Sequence, residues 1–131
     1  VVAEIEAAVV RWCEGPCASA SSRALADPRV SVRVEDVARA IAGARGGYDA
    51  IALDLYEGPR GDAAERSHPI YGDAGLRAAA AALRPGGVLA VWSEQAAPGF
   101  ARRLEARGFQ VRMERSGRGG RRHPIYRAVR T

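Results

Sequence analysis

Short apolar strands that end in acids follow one another through the first two thirds of the chain, and this order most restricts what it can fold into. VVAE ends in Glu4, VSVRVED ends in Glu35 and Asp36, and YDAIALD ends in Asp54. A helix then runs into LRPGG and a fourth apolar strand, VLAVW, which stops at Ser93. Helical segments between strands are the connections that parallel strands need. Carboxylates at the carboxyl ends of successive parallel strands sit where an open α/β sheet builds its ligand crevice. The expected fold is therefore α/β, a Rossmann-like and mostly parallel sheet. The Gly-rich strand–turn–helix that should come first in such a sheet is missing.

At 131 residues the chain is long enough to bury a real core, and residues 1–131 read as one partial domain. It contains neither Lys nor Asn, so all twenty basic residues are Arg. Both absent types use A-rich codons, which with the abundant Ala points to a GC-rich, bacterial genome. The net charge of +5 then reads as a codon-biased solvated surface, and no nucleic-acid partner is expected. No apolar run approaches the ~20 residues of a membrane span, and no basic segment precedes an apolar one at the start. A cytoplasmic location and no membrane partner are the expectations. Opening on Val inside a strand, the chain reads as truncated at its N-terminus or cut from a longer protein. Cys13 and Cys17 form a lone C-x3-C with no second pair, whereas zinc takes four ligands. They read as small residues at a helix end, and no metal is expected.

Residues 6–13 read as a helix, 14–28 as a loop, and 30–34 as an alternating strand with one wet face. Asp36 can cap a helix facing inward through Val37, Ala40, Ile41 and Ala44, ended by Gly46 and Gly47. Residues 48–55 form a strand with an apolar core at 50–53, and 57–72 a long polar loop. Asp73 can cap the next helix, with Leu76, Ala80 and Leu83 inward, and Pro85-Gly86-Gly87 stops it. The runs 50–53 and 88–92 are apolar throughout, which predicts strands covered on both faces. The runs 30–34 and 109–113 alternate and suit sheet edges. Phe100 and Leu104 mark a helix ended by Gly108. SGRGGRR is a turn, and residues 123–129 are the last strand. HPIY occurs twice, at 68–71 and 123–126, by coincidence.

Three carboxylates stand out chemically. Glu4, at a strand end, can accept from both hydroxyls of a ribose, or simply favour the positive start of a helix. Asp36 can accept from an adenine amino group, cap the next helix, or do both, because a carboxylate has two oxygens. Asp54 ends a buried strand before a long loop, where it can take a proton from a nucleophile or form a turn. Tyr56 and Glu57 follow it. A ring and a second acid suit a cationic amine or belong to a solvated loop. Tyr71, at the far end of that loop, completes the substrate-side candidates.

Together, VVAEIEAAVV, DPRVSVRVEDV, GGYDAIALDLYEGP, HPIYGDAGLRAAAAALRPGGVLAVWS and FARRLEARGFQV resemble the spermidine synthase (polyamine aminopropyltransferase) family within the class I methyltransferase superfamily. The resemblance covers most of the chain, in order. It implies a methyltransferase-type sheet with a C-terminal antiparallel hairpin, 30–34 and 109–113 at the edges and 50–53 and 88–92 inside. It also implies transfer of an aminopropyl group from decarboxylated S-adenosylmethionine to a small amine, with no metal. Asp54 matches the family's base, the first acid of a D-x-x-D loop. Glu57 falls on the second acid, Glu4 on the ribose-binding Glu and Asp36 on the adenine-binding acid.

The chain departs from that pattern in three places. Its loop reads D-L-Y-E where the family usually has D-S-S-D, which leaves the acceptor open. The family's N-terminal β domain is absent, and so are its first strand and GxGxG-type turn. That strand normally lies between those matching residues 1–4 and 50–54, so its loss predicts a gap that neighbours close, another chain fills, or an upstream segment supplies. The isolated chain is expected to be weakly active or inactive. A small-molecule methyltransferase using S-adenosylmethionine, and a non-catalytic remnant of the same fold, are the alternatives. Many family members are dimers, so a homodimer is compatible with the resemblance.

Overall fold

The computed structural model describes residues 1–20, 23–59, 68–116 and 122–131. They form two compact units, Val1–Ile41 and Ala42–Thr131.

In the first unit, strand β1 (Val2–Glu4) leads into helix α1 (Ala7–Glu14), and strand β2 (Val32–Val34) into helix α2 (Val37–Ala42). β1 and β2 pair in parallel, with Glu4 opposite Val34. β2 is shorter than the alternating run at 30–34 because the Val30 amide bonds back to the Asp27 carbonyl, closing a turn. That turn is held by an ion pair between Arg29 and Asp27 at 2.7 Å. α2 stops at Ala42, before the glycine pair. Gly46 takes a left-handed conformation (φ 57°) and its amide bonds to the Ala81 carbonyl. Cys13 is half-exposed, Cys17 is exposed, and both are free thiols.

The second unit is a four-stranded sheet of β3 (Tyr48–Leu53), β4 (Leu83–Trp92), β5 (Phe109–Ser116) and β6 (His123–Arg130), with helices α3 (Asp73–Ala82) and α4 (Pro98–Glu105). The spatial order is β3-β4-β6-β5. β3 and β4 are parallel, and β6 runs antiparallel to both β4 and β5. The fold is thus α/β with parallel strands and a C-terminal antiparallel pair, as the sequence suggested. The described strands form two sheets, β1–β2 in the first unit and the four-stranded one in the second. The SGRGGRR turn lies largely at 117–121, and much of the loop after Asp54 at 60–67, outside the described residues.

The core of this unit lies on one sheet face. Ile51, Leu53, Leu89, Val91, Tyr126 and Ala128 are buried there, with Leu76, Ala79, Phe100 and Leu104 of the helices. Each large aliphatic side chain so buried contributes about 2 kcal/mol. Pro98 opens α4 where a missing amide costs nothing. Phe100 and Leu104, four apart, fall on one side of that helix.

Two expectations need correcting. Within this unit the helices cover one face of β3 and β4, and on the other face Ala50 and Ala52 are exposed and Val88, Ala90 and Trp92 half-buried. The physical reason is that α3 and α4 both pack on the face bearing Leu89 and Val91. Asp73 does not cap α3. Gly72 is the capping residue, and the Asp73 carboxylate instead pairs with Arg77 and Arg107. The LRPGG segment is both turn and strand. Its pairing jumps from Tyr48–Leu83 to Ala50–Val88, around Gly86 at φ 76°.

Candidate functional site

The candidate residues fall into two groups. In the first unit, the Glu4 and Asp36 carboxylates lie at the carboxyl ends of adjacent parallel strands. The Glu35 amide bonds to the Glu4 carbonyl at 3.1 Å and ties these ends together. One Glu4 carboxylate oxygen accepts from the Glu6 amide at 2.8 Å, just ahead of α1. One Asp36 oxygen accepts from the Ala38 amide at 2.7 Å, capping α2. Both side chains therefore use one oxygen to satisfy amides that a helix start leaves unpaired, and a carboxylate has further acceptor capacity. Asp36 is half-buried and Glu4 is too, so both remain open to a ligand.

In the second unit, Asp54 follows β3 directly and is exposed. The segment after it is pinned rather than free. Gly58 and Pro59 are buried, and a β-carbon on Gly58 would lie 2.7 Å from the Ser93 α-carbon. Ser93 is itself held, its amide bonding to the Pro124 carbonyl at 3.0 Å and its hydroxyl to the Gln95 carbonyl at 2.7 Å. The loop bearing Asp54 thus docks on the end of β4. Glu57 is half-buried, whereas Tyr56 is 94% exposed and points away from the core.

Tyr71 is 1% exposed. Its ring packs edge-on against Phe100 (centroids 5.8 Å apart) and His68 (6.4 Å). Its hydroxyl is buried without a hydrogen bond among the described residues. Burial, and secondarily the negative charge of Asp54, push its ionisation up to about 12. The structure thus brings Tyr71 within electrostatic reach of Asp54, and Tyr71 stays a neutral phenol. The sequence missed Gly58 and Ser93. The E-G-P tripeptide reads only as the start of a long polar loop, and a contact with a residue so far along the chain leaves no local signature.

Among the described residues, no group of three or more His, Cys, Asp or Glu side chains is placed to hold a metal. No helix among them is long and apolar enough to cross a membrane.

No protein-family model matches this chain, and no curated protein matches it. Solved structures do. The spermidine synthase from Thermotoga maritima superposes with a TM-score of 0.77 at 16% identity, over 98% of this chain and 44% of that one. A spermidine synthase in complex with the transition state analogue AdoDATO gives 0.75 at 16% identity, over 98% and 43%. A possible exported protein from Bordetella parapertussis gives 0.54 at 18% identity, over 98% and 52%. The chain therefore spans less than half the length of the two spermidine synthases, and over nearly all its own length it has the fold of their matching portion.

Proposed function

We propose that this chain is the nucleoside- and amine-handling portion of an aminopropyltransferase-like enzyme. The observation that carries the reading is the recurrence of a carboxylate at the carboxyl end of each of three strands, Glu4, Asp36 and Asp54, in a chain with the spermidine synthase fold. In this reading Glu4 accepts from the ribose hydroxyls of an S-adenosyl-type nucleoside and Asp36 from its adenine amino group. Asp54 receives the proton that a small alkylamine must lose before it attacks, since such an amine has a pKa of roughly 10. The amine nitrogen then bonds to the aminopropyl carbon of decarboxylated S-adenosylmethionine. The carbon–sulfur bond breaks, and its electron pair leaves with the sulfur as neutral methylthioadenosine. The sulfonium is a good leaving group, so the reaction needs no metal. Glu57, Tyr56 and Tyr71 complete the amine side of the reading.

The test supplies the chain with decarboxylated S-adenosylmethionine or S-adenosylmethionine, plus a set of mono- and diamines, and follows products by mass spectrometry. Slow release of methylthioadenosine, reduced about 100-fold or more in Asp54→Asn, is the expected result. Release of S-adenosylhomocysteine would assign methyl transfer instead. Turnover unchanged in Asp54→Asn would contradict the catalytic reading.

A further inference from the structure

The register of β5 on β6 sets Arg112 directly opposite Arg127. Both are exposed. Residues so placed have β-carbons about 5 Å apart, and like charges there repel. Neither arginine forms an ion pair among the described residues. On its other side Arg127 is paired with Ala90 on β4, which carries no charge. Glu114 shares the same face of β5, opposite Ile125, and makes no ion pair with either arginine.

Both arginines line a cleft of about 560 Å³ that also takes in Glu105, Gln110, Phe109 and Val129. That volume is in the range of small-molecule sites, which combine apolar walls with a few polar groups. Val129, opposite Gln110 on the face that bears both arginines, supplies apolar wall, two guanidiniums supply paired donors, and Gln110 and Glu105 supply an amide and an acceptor. Two adjacent guanidiniums match the oxygens of a carboxylate or phosphate, which would also remove their mutual repulsion.

We propose that this cleft binds an organic oxyanion, a phosphate ester or carboxylate held between Arg112 and Arg127, with a hydroxyl or amino group on its body donating to Glu105. None of Glu4, Asp36 and Asp54 lines it, so the site stands apart from the nucleoside reading.

Inorganic phosphate and succinate are titrated into the chain at constant ionic strength, with binding followed by amide NMR shifts. Saturable shifts at residues 109–112 and 127–129 with either anion are expected. Arg112→Gln and Arg127→Gln each weaken binding about ten-fold or more. The Lys variants keep the charge without the fork and fall between. Arg115→Gln, on the opposite face of β5, leaves binding unchanged. Phosphate without succinate makes the ligand a phosphate ester, and the converse a carboxylate. No saturable binding of either anion, or equal weakening by Arg115→Gln, overturns the proposal. Methylthioadenosine affinity is unchanged by the Arg112 and Arg127 variants, which separates this test from that of the nucleoside reading.

Discussion

Gly58 lies against Ser93 so closely that a β-carbon on it would sit 2.7 Å from the Ser93 α-carbon. The contact is with backbone, so rotation of a side chain cannot relieve it. It joins the loop after Asp54 to the residue that follows β4, and so sets where the Asp54 carboxylate stands.

Gly58→Ala should therefore force the loop off β4 and destabilise the chain by about 1–3 kcal/mol. Urea unfolding measures the loss. A midpoint equal to the parent's would mean that the loop does not dock on Ser93.

Gly75→Ala should behave similarly for a different reason. An added β-carbon would lie 2.3 Å from the Ile70 carbonyl oxygen, on the turn that presents Tyr71. In an ordinary helix Gly→Ala gains up to about 1 kcal/mol; here we expect a net loss, with exchange broadening of Tyr71 and Phe100 ring signals in NMR spectra. A raised melting temperature would contradict the packing described for this turn.

Tyr71 gives a prediction in alkali. Its folded-state ionisation is raised above the ordinary 10 to about 12. The stabilisation of the neutral phenol is thus fully present below pH 10, and is lost as pH rises through 10 to 12. The change amounts to about 3 kcal/mol. Tyr71→Phe should remove this alkaline loss and, because the hydroxyl has no partner among the described residues, cost little or nothing at pH 7. Unfolding free energies of parent and variant across pH 8–12 test both points. Parallel pH profiles would contradict the burial of the hydroxyl.

Asp73 gives a prediction in acid. Its pairing with Arg107 first, and with Arg77, holds its carboxyl below the usual 3.8. The stability from this depressed value is present above the unfolded-state pKa and disappears as pH falls through the lower folded-state one. The group is exposed, so the effect is small and salt-sensitive. Asp73→Asn should lower the melting temperature slightly at pH 7 and not at all at the acid extreme. A larger difference in acid than at neutral pH would reverse the sign argued here.

Much of this structure is legible in the residues. The strands announce themselves as runs of β-branched and aliphatic side chains between turn signals, and Asp36 caps α2 where its position before Val37 predicts. The order of strand, acid and helix carries the fold class because parallel strands require the intervening helices. What local pattern cannot convey is contact between distant segments. The apolar run 50–53 predicts two covered faces, yet whether a helix lies over Ala52 depends on elements elsewhere. Asp73 has the chemistry of a cap, but two arginines, one from beyond α4, compete for its carboxylate. Gly58 reads as loop punctuation until Ser93 is placed beside it. Of the candidate site, the strand-end carboxylates are legible, the partnership of Asp54 with buried Tyr71 is not, and exposed Tyr56 stands apart from both.

The central claim is that Glu4 and Asp36 bind an S-adenosyl-type nucleoside, and calorimetric titration of methylthioadenosine into the 131-residue chain tests it most directly. Saturable binding that disappears in Glu4→Ala and in Asp36→Ala, with both variants still folded by circular dichroism, is the predicted result. No binding by the folded parent, or binding that both variants retain unchanged, would contradict it.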